Sequence, residues 1–184
     1  MKFYKTEIPG VFIIEPKKFG DERGYFFESY NKKEFYDNGI KNNFIQDNQS
    51  FSKYGTIRGL HFQTGKSAQA KLVRAVQGQV LDVAVDLRKA SPTFGKHVAV
   101  LLNDQENNML LVPRGFAHGF SVQSETTVFA YKCDNLYNAS SEGGIIYNDP
   151  NLNIDWKIPA DKFIISGKDT LWPTLAQWRS KGAR

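Results

Sequence analysis

Cysteine is almost absent from this sequence, and histidine is scarce. Cys133 is the single cysteine among 184 residues, and there are three histidines. One thiol excludes an internal disulfide and any zinc site built on several thiolates. So low a cysteine content is typical of a reduced, cytoplasmic setting, which we expect for this chain.

Long apolar runs and dense basic clusters are also missing. The longest apolar stretches, such as 83–85 and 109–112, are far too short to span a membrane. The first residues lack the apolar core and cleavage site of a secretory signal. The chain has 24 basic and 19 acidic side chains and a net charge of +5, yet no five or six basic residues stand together. This dispersed charge favours a small anionic ligand over a nucleic acid or a membrane.

The residues that are present are those of a folded β protein. Apolar residues make up 41% of the chain and aromatic residues 14%, enough to bury a core. The length fits one domain over residues 1–184. Segments rich in β-branched and aromatic residues alternate with turn-forming residues about every ten positions. They predict strands at 11–14, 24–30, 44–48, 56–62, 71–76, 79–87, 97–102, 109–112 and 126–133.

Two short helices are predicted beside these strands. Residues 32–38 have Asn31 as a cap and Gly39 as a stop, and residues 175–178 can form a further helical turn. Many short strands with few helices favour an all-β sandwich or barrel over alternating β–α units.

The segment from Val80 to Arg88 alternates strictly between two kinds of residue. One face carries leucine and valine, and the other carries Asp82, Ala84, Asp86 and Arg88. A half-exposed strand with a solvated charged face explains this pattern. The alternative is a strand between two layers, whose polar face lines a ligand cavity inside a small barrel. The sequence alone leaves both interpretations open.

Arg58, His61 and His118 are the first candidates for a functional site. Arg58 and His61 are three residues apart, so a regular strand would direct them to opposite faces. A β-bulge at Gly59 would turn both toward one cavity. His118 lies in the glycine-rich segment 112–120, which we interpret as a turn at a barrel rim, a usual place for ligand contacts. The structural alternative is a surface arginine with histidines in the core.

Acid–base chemistry is favoured over metal or covalent catalysis. A metal-binding double-stranded β-helix typically offers a His-x-His pair with an acid nearby, whereas Phe62 and Gln63 follow His61. Cys133 ends an apolar strand and is expected to be a small buried hydrophobe, and no Gly-x-Ser-x-Gly elbow occurs. A histidine with a carboxylate behind it is the usual base near neutral pH.

A series of short segments, in order over nearly the whole chain, resembles the dTDP-4-dehydrorhamnose 3,5-epimerase family. Each segment is short, but their order and spacing together are highly specific. They are 22–30, 46–50, 58–63, 71–73, 78–88, 91–95, 113–120, 131–133, 148–150 and 165–169.

The resemblance implies a fold and a reaction. It implies a metal-free cupin, a double-stranded antiparallel β-helix, that forms a homodimer and needs no cofactor. The implied reaction inverts C3 and C5 of dTDP-4-dehydro-6-deoxy-D-glucose to give dTDP-4-dehydro-L-rhamnose. The C4 ketone acidifies the hydrogens on both neighbouring carbons, so a base removes one to form an enolate and an acid returns a proton on the opposite face.

The resemblance also assigns roles to residues of this sequence. His61 is the base, and Asp169 holds its imidazole. Tyr131 is the acid on the far face, and Lys71 stabilises the enolate oxygen. Arg58 would bind the diphosphate. The other substrate contacts that it implies are Arg23, Glu28, Gln46, Asp47, Asn48, His118, Glu142 and Lys168, of which Arg23 and Glu28 would reach across the dimer.

The chain departs from the family pattern near one pocket wall. Tyr147 stands where many members have tryptophan, and the aromatic pairing around Leu136 and Tyr137 is reduced to one ring. The resemblance implies that an aromatic in this region helps to position the nucleotide base or the sugar, so we expect its identity to affect substrate choice. Four other functions stay open from the sequence: an epimerase acting at C3 or C5 alone, a 3,4-ketoisomerase, a non-catalytic cupin that binds sugar nucleotides, and a metal-dependent cupin dioxygenase.

Overall fold

The computed structural model describes residues 1–180, which are mostly strand. The first seven strands are β1 Lys2–Lys5, β2 Phe12–Glu15, β3 Phe19–Asp21, β4 Gly24–Phe26, β5 Gln46–Lys53, β6 Thr56–Gln63 and β7 Lys71–Gln77. The next seven are β8 Gln79–Asp86, β9 His97–Asn103, β10 Met109–Val112, β11 Phe116–Val122, β12 Thr126–Cys133, β13 Glu142–Gly144 and β14 Ile164–Ile165. Two α-helices accompany them, α1 Lys32–Asp37 and α2 Leu175–Ser180.

The strands form two main sheets and one hairpin. Sheet I has the order β1-β2-β10-β7-β12-β5, and sheet II has the order β13-β6-β11-β8-β9, with β14 pairing in parallel beside β6. Strands β3 and β4 pair only with each other among the described residues. All pairings within the main sheets except that of β14 are antiparallel.

The two sheets pack face to face around an inner apolar core. Val73 and Phe129 of sheet I are buried in one cluster with Ala84, Phe116 and Phe120 of sheet II. Burial of apolar surface from both sheets is what holds such a sandwich together. The predicted all-β double-stranded β-helix with a few short helices is confirmed.

Each sheet is also covered on its outer face. Helix α1 places Phe35 against Leu72 and Met109 on the outside of sheet I. Asn31 caps this helix by accepting from the backbone N–H groups of Lys33 and Glu34, as the sequence predicts. On the outside of sheet II, the chain after residue 144 supplies Ile145, Leu152, Trp156 and Leu175 to a second cluster.

The cover over sheet II decides between the two interpretations of β8. Leu81, Val83 and Val85 pack outward against the second cluster, whereas Val80 and Ala84 lie in the inner core. Asp82 and Asp86 are therefore completely buried. The interpretation of β8 as a half-exposed strand with a solvated charged face is therefore wrong. The strand lies between two layers, and its polar face is directed inward.

One segment differs from the prediction in a way that affects the site. The glycine-rich segment around His118 is not a rim turn, because Phe116–Val122 forms β11, every residue of which is buried. Glycine in this segment favours a turn, but in the structure the missing side chain of Gly119 allows a close approach of two strands. His118 therefore projects from the middle of sheet II.

Candidate active site

A cavity of about 640 Å³ lies between the two sheets. Both sheets contribute polar side chains to it, and apolar rings such as Phe120 and Phe129 form part of its wall. The chemically reactive residues that line it are Arg58, His61, Lys71, His118, Tyr131, Lys168 and Asp169.

A β-bulge in β6 brings Arg58 and His61 to the same face. Across the β6–β11 pairing, His61 lies opposite His118 and Arg58 lies opposite Phe120, so β6 carries one extra residue between these positions. Gly59 adopts φ +133°, a conformation that favours glycine. A Cβ on Gly119 would stand 2.7 Å from the Arg58 carbonyl oxygen, so this strand position also requires glycine. The predicted bulge is confirmed.

His61 is paired with a buried carboxylate. Its Nε2 lies 2.6 Å from Oδ1 of Asp169, and the Asp169 side chain is only 5% exposed against 31% for His61. A carboxylate accepts at this distance, so Nε2 carries the proton and Nδ1 is left unprotonated. A histidine in this tautomer has one nitrogen free to act as a base.

The turn after β14 positions Asp169. Its backbone N–H donates to the carbonyl and to Oγ of Ser166, and its Oδ2 accepts from the backbone N–H of Gly59 at 3.5 Å. Burial opposes ionisation of this carboxyl, but the hydrogen bonds from His61 and Trp172 outweigh it, so the pKa of Asp169 lies below its ordinary value. Asp169 is thus an ionised partner for His61.

A second buried histidine–aspartate pair faces the same cavity. Nε2 of His118 lies 3.0 Å and 2.9 Å from the two carboxylate oxygens of Asp82, and both side chains are buried. The Phe129 ring stacks on the His118 ring with centroids 6.4 Å apart. These contacts hold the His118 ring in a fixed orientation at the cavity wall.

Lys71 and Tyr131 project into the cavity from sheet I. The Lys71 ammonium lies 5.8 Å from the centre of the Tyr131 ring. Burial lowers the pKa of Lys71, although the negative charges of Asp82 and Glu142 oppose the shift. Burial raises the pKa of Tyr131, so the phenol keeps its proton at neutral pH.

Arg58 is held at the other end of the cavity. Its Nε donates to Oγ of Ser52 at 3.0 Å, and an Nη donates to the Phe51 carbonyl at 3.4 Å. Nearby, Oγ of Ser50 is the one buried side-chain polar atom within residues 1–180 that has no hydrogen-bond partner. This end therefore offers a cationic fork and an unused hydroxyl to a ligand.

An adjoining cavity of about 340 Å³ shares His61, Lys71 and Tyr131 with the first. Glu142 lines it, and its carboxylate accepts from Nζ of Lys168 at 2.6 Å and from the hydroxyl of Tyr137 at 2.9 Å. Gln46 and Asn48 also line it, and Nε2 of Gln46 donates to Oδ1 of Asn48. A long ligand can therefore extend from Arg58 past His61 toward Glu142.

Comparison with known proteins agrees with this geometry. The model of the dTDP-4-dehydrorhamnose 3,5-epimerase family matches residues 5–177. The chain belongs to this family. It is therefore an enzyme, an isomerase of the epimerase class.

Individual relatives are similar over almost their full length. The dTDP-4-dehydrorhamnose 3,5-epimerase of Salmonella typhimurium is 52% identical over 177 residues, which cover 94% of each chain. The crystal structure of the enzyme of that name from Elizabethkingia anophelis has a TM-score of 0.93 and 54% identity, covering 96% of this chain and 97% of its own. The dTDP-6-deoxy-D-glucose-3,5-epimerase of Legionella pneumophila, solved with dTDP-4-keto-L-rhamnose, has a TM-score of 0.93 and 44% identity, with coverage of 98% and 95%.

Three residues implied by the family pattern lie away from the cavity of this epimerase. Asp47 is exposed and pairs at 3.0 Å with Lys132. Arg23 and Glu28 are exposed near the β3–β4 hairpin, where Arg23 pairs with Asp21 and Glu28 accepts from Asn31. The predicted contacts of Arg23 and Glu28 across a dimer stay predictions.

Three further residues lie where the chemistry does not need them. Cys133 is 1% exposed, as expected of a small buried hydrophobe, and burial raises its pKa. His97 stands at the start of β9, paired with Val85 in the sheet. Tyr147 packs edge-on against Phe163 with centroids 6.0 Å apart, as part of the outer core cluster rather than the cavity lining.

Trp172 is a site residue that sequence reasoning misses, and its Nε1 donates to Oδ1 of Asp169 at 3.3 Å. The alternation in β8 predicts Asp82 only as part of a polar strand face, whereas the structure places it in contact with His118. An inward acid on β8, next to the strand that carries His118, was the available signal for Asp82. No pattern marks Trp172, because its contact depends on how the chain after β14 folds back.

Within residues 1–180, no group of three or more His, Cys, Asp or Glu side chains is arranged to hold a metal ion. Neither helix of this region is long and apolar enough to cross a membrane.

Proposed function

We propose that His61, Asp169, Lys71 and Tyr131 carry out the 3,5-epimerisation for which the family is named. The substrate is dTDP-4-dehydro-6-deoxy-D-glucose, and the product is dTDP-4-dehydro-L-rhamnose. The observation that carries the proposal is the placement of His61, with its carboxylate partner Asp169, and the half-buried Tyr131 on two facing sheets, with one cavity between them. A sugar ring in this cavity has a base on one side and an acid on the other.

His61 begins the reaction. Its unprotonated Nδ1 takes the proton from the carbon next to the C4 ketone, and the C–H electron pair moves into a C–C double bond while the ketone oxygen becomes an enolate. Asp169, ionised and 2.6 Å from Nε2, stabilises the imidazolium that forms. Lys71 supplies a cation for the enolate oxygen, which is most effective in a buried site.

Tyr131 completes the inversion. Its phenol delivers a proton to the opposite face of the same carbon, the enolate returns to the ketone, and the phenol is left as a phenolate. Because burial raises the Tyr131 pKa, this phenolate readily regains a proton, while the imidazolium of His61 returns its proton to solvent. The same sequence at the second carbon next to the ketone gives the doubly inverted product.

The remaining side chains contact other parts of the substrate. The Arg58 guanidinium binds the diphosphate with a bidentate fork, with Ser52 holding its Nε in place. Gln46, Asn48 and Glu142 offer polar contacts along the adjoining cavity, and Lys168, which lines the main cavity, pairs with Glu142. We further propose a cytoplasmic homodimer in which Arg23 and Glu28 contact the nucleotide held by the partner subunit.

A His61→Ala variant tests the assignment of the base. Hydrogen exchange of the keto-sugar with D₂O should fall by a factor on the order of a thousand, while dTDP binding measured by calorimetry stays within about twofold of wild type, since Arg58 is intact. His97→Ala is the matched control and should keep full exchange. Persistent exchange in His61→Ala would show that another group is the base.

A further inference from the structure

Trp172 contacts the catalytic pair but has no part in the mechanism above. Its indole Nε1 donates to Oδ1 of Asp169 at 3.3 Å, the same oxygen that lies 2.6 Å from Nε2 of His61. The indole and imidazole rings also meet edge to face, with centroids 6.2 Å apart. Trp172 therefore touches both members of the pair.

The surroundings of Trp172 fix the indole in place. A Cβ on Gly144 would collide with the indole ring, so the ring occupies the space that glycine leaves there. Gly144 is the β13 residue that pairs with His61 across the sheet. The Lys168 ammonium lies 5.7 Å from the ring centre, and the carbonyl of Pro173 accepts from the backbone N–H of Ile146.

We infer that Trp172 is a positioning residue, which holds the Asp169 carboxylate in the orientation that keeps His61 ready to act as a base. This inference rests on the proposed role of His61. Among residues 1–180, the other donor to the Asp169 carboxylate is the Gly59 N–H, which makes a long contact of 3.5 Å with the second oxygen. The indole N–H is thus the second close donor that sets the plane of the carboxylate.

The effect of Trp172 is expected on the chemical step rather than on substrate binding. Trp172 does not line the main cavity in the described structure, whereas Asp169 and His61 do. Loss of one hydrogen bond to a charged group that orients the base should lower kcat by about fivefold to tenfold and leave KM within about twofold.

The test compares Trp172→Phe with Trp178→Phe. Trp178 is a matched control because it belongs to the nearby helix α2 and its ring packs on Phe62. We expect the loss of kcat only in Trp172→Phe, and no further loss when this change is added to Asp169→Asn, because both act through one carboxylate. Equal behaviour of the two tryptophan variants, or a full additional loss in the double variant, would overturn the inference.

A second measurement needs no activity. In a ¹H–¹⁵N spectrum, the indole signal that disappears in Trp172→Phe should move in Asp169→Asn, while the signals of Trp156 and Trp178 stay in place. Gly144→Ala should move the same signal and lower kcat, whereas Gly167→Ala, whose added Cβ meets open space, should do neither. An indole signal unchanged by Asp169→Asn would show that the contact is absent. Because this spectrum is independent of turnover, it separates failure of this inference from failure of the proposed function.

Discussion

Tyr131 differs from the other catalytic candidates because the proposal requires it only for the second half of each inversion. In a Tyr131→Phe variant, His61 can still remove a proton and return a deuteron to the same face in D₂O. We expect deuterium to enter the substrate while formation of the inverted product falls by a factor on the order of a hundred or more.

Mass spectrometry and NMR of the recovered sugar nucleotide distinguish the two outcomes. Tyr36→Phe, an exposed tyrosine on α1, is the control and should behave as wild type. Full epimerisation by Tyr131→Phe would remove Tyr131 from the mechanism.

Asp86 illustrates a buried charge that serves stability. Its carboxylate accepts from Arg88, Ser91 and Thr93. Burial opposes its ionisation, but these hydrogen bonds more than compensate and lower its pKa from 3.8 to about 2. A carboxyl whose pKa is lower in the folded than in the unfolded state stabilises the fold at pH values above its unfolded-state pKa. This contribution, about 2 kcal/mol, is lost as the pH falls from about 4 toward 2.

Asp86→Asn should therefore lower the free energy of unfolding at pH 6 by about 2 kcal/mol, and the difference from wild type should shrink as the pH falls through this window. Urea unfolding at several pH values measures it, with the exposed Asp161→Asn as control. A difference that does not change between pH 6 and pH 2.5 would contradict the account of Asp86.

At the scale of elements, the approach of β6 to β11 is what gathers the site. The backbone of Gly119 packs directly against the Arg58 carbonyl and Gly59 because glycine has no side chain. An added Cβ in Gly119→Ala should therefore push β6 away from β11. We expect a loss of about 2 kcal/mol in stability, as is typical of overpacking, and a lower kcat because His61 moves with β6.

Gly20→Ala is the matched control for this change. An added Cβ there lies 3.7 Å from the Gly24 carbonyl, an ordinary contact, so its melting temperature should stay at the wild-type value. If Gly119→Ala also melts at the wild-type temperature, the close approach of β6 and β11 is not needed.

Sequence patterns predicted where the strands and helices lie better than they predicted what surrounds each of them. The alternation in β8 was visible, but whether its acidic face met water depended on the chain after residue 144, which covers the outside of sheet II. The glycines around His118 favoured a turn because glycine weakens a strand in general, and the close approach that requires Gly119 in β11 is a tertiary contact. The bulge at Gly59 could be predicted because Arg58 and His61 are three residues apart. They can face the same cavity only if a bulge lies between them.

At the scale of the whole molecule, the site residues gather from distant parts of the chain. His61 and Asp169 are 108 residues apart, so their spacing in the sequence does not indicate that they meet. Only the family resemblance placed it behind His61, and the structure then put the two within hydrogen-bond distance. Trp172 had no such guide, because its contact was visible only after folding.

The proposed homodimer can be tested through the β3–β4 hairpin. The β3–β4 hairpin exposes Phe19, Tyr25 and Phe26, and Arg23 lies in its turn. If Arg23 serves the partner's site, a mixture of Arg23→Ala and His61→Ala subunits should recover up to about a quarter of wild-type activity, since half the dimers then contain one intact site.

Unfolding and refolding the two variants together, then assaying turnover, measures this recovery. Each variant refolded alone is the control. A mixture no more active than the sum of the separate variants would place Arg23 outside the partner's site.

The central claim is that one cavity inverts both carbons next to the ketone. Incubating the wild-type protein with dTDP-4-dehydro-6-deoxy-D-glucose in D₂O and locating the deuterium by NMR tests it most directly. The account predicts deuterium at both C3 and C5 in a product with both centres inverted. Deuterium at only one of these carbons would contradict it and identify an epimerase that acts at a single centre.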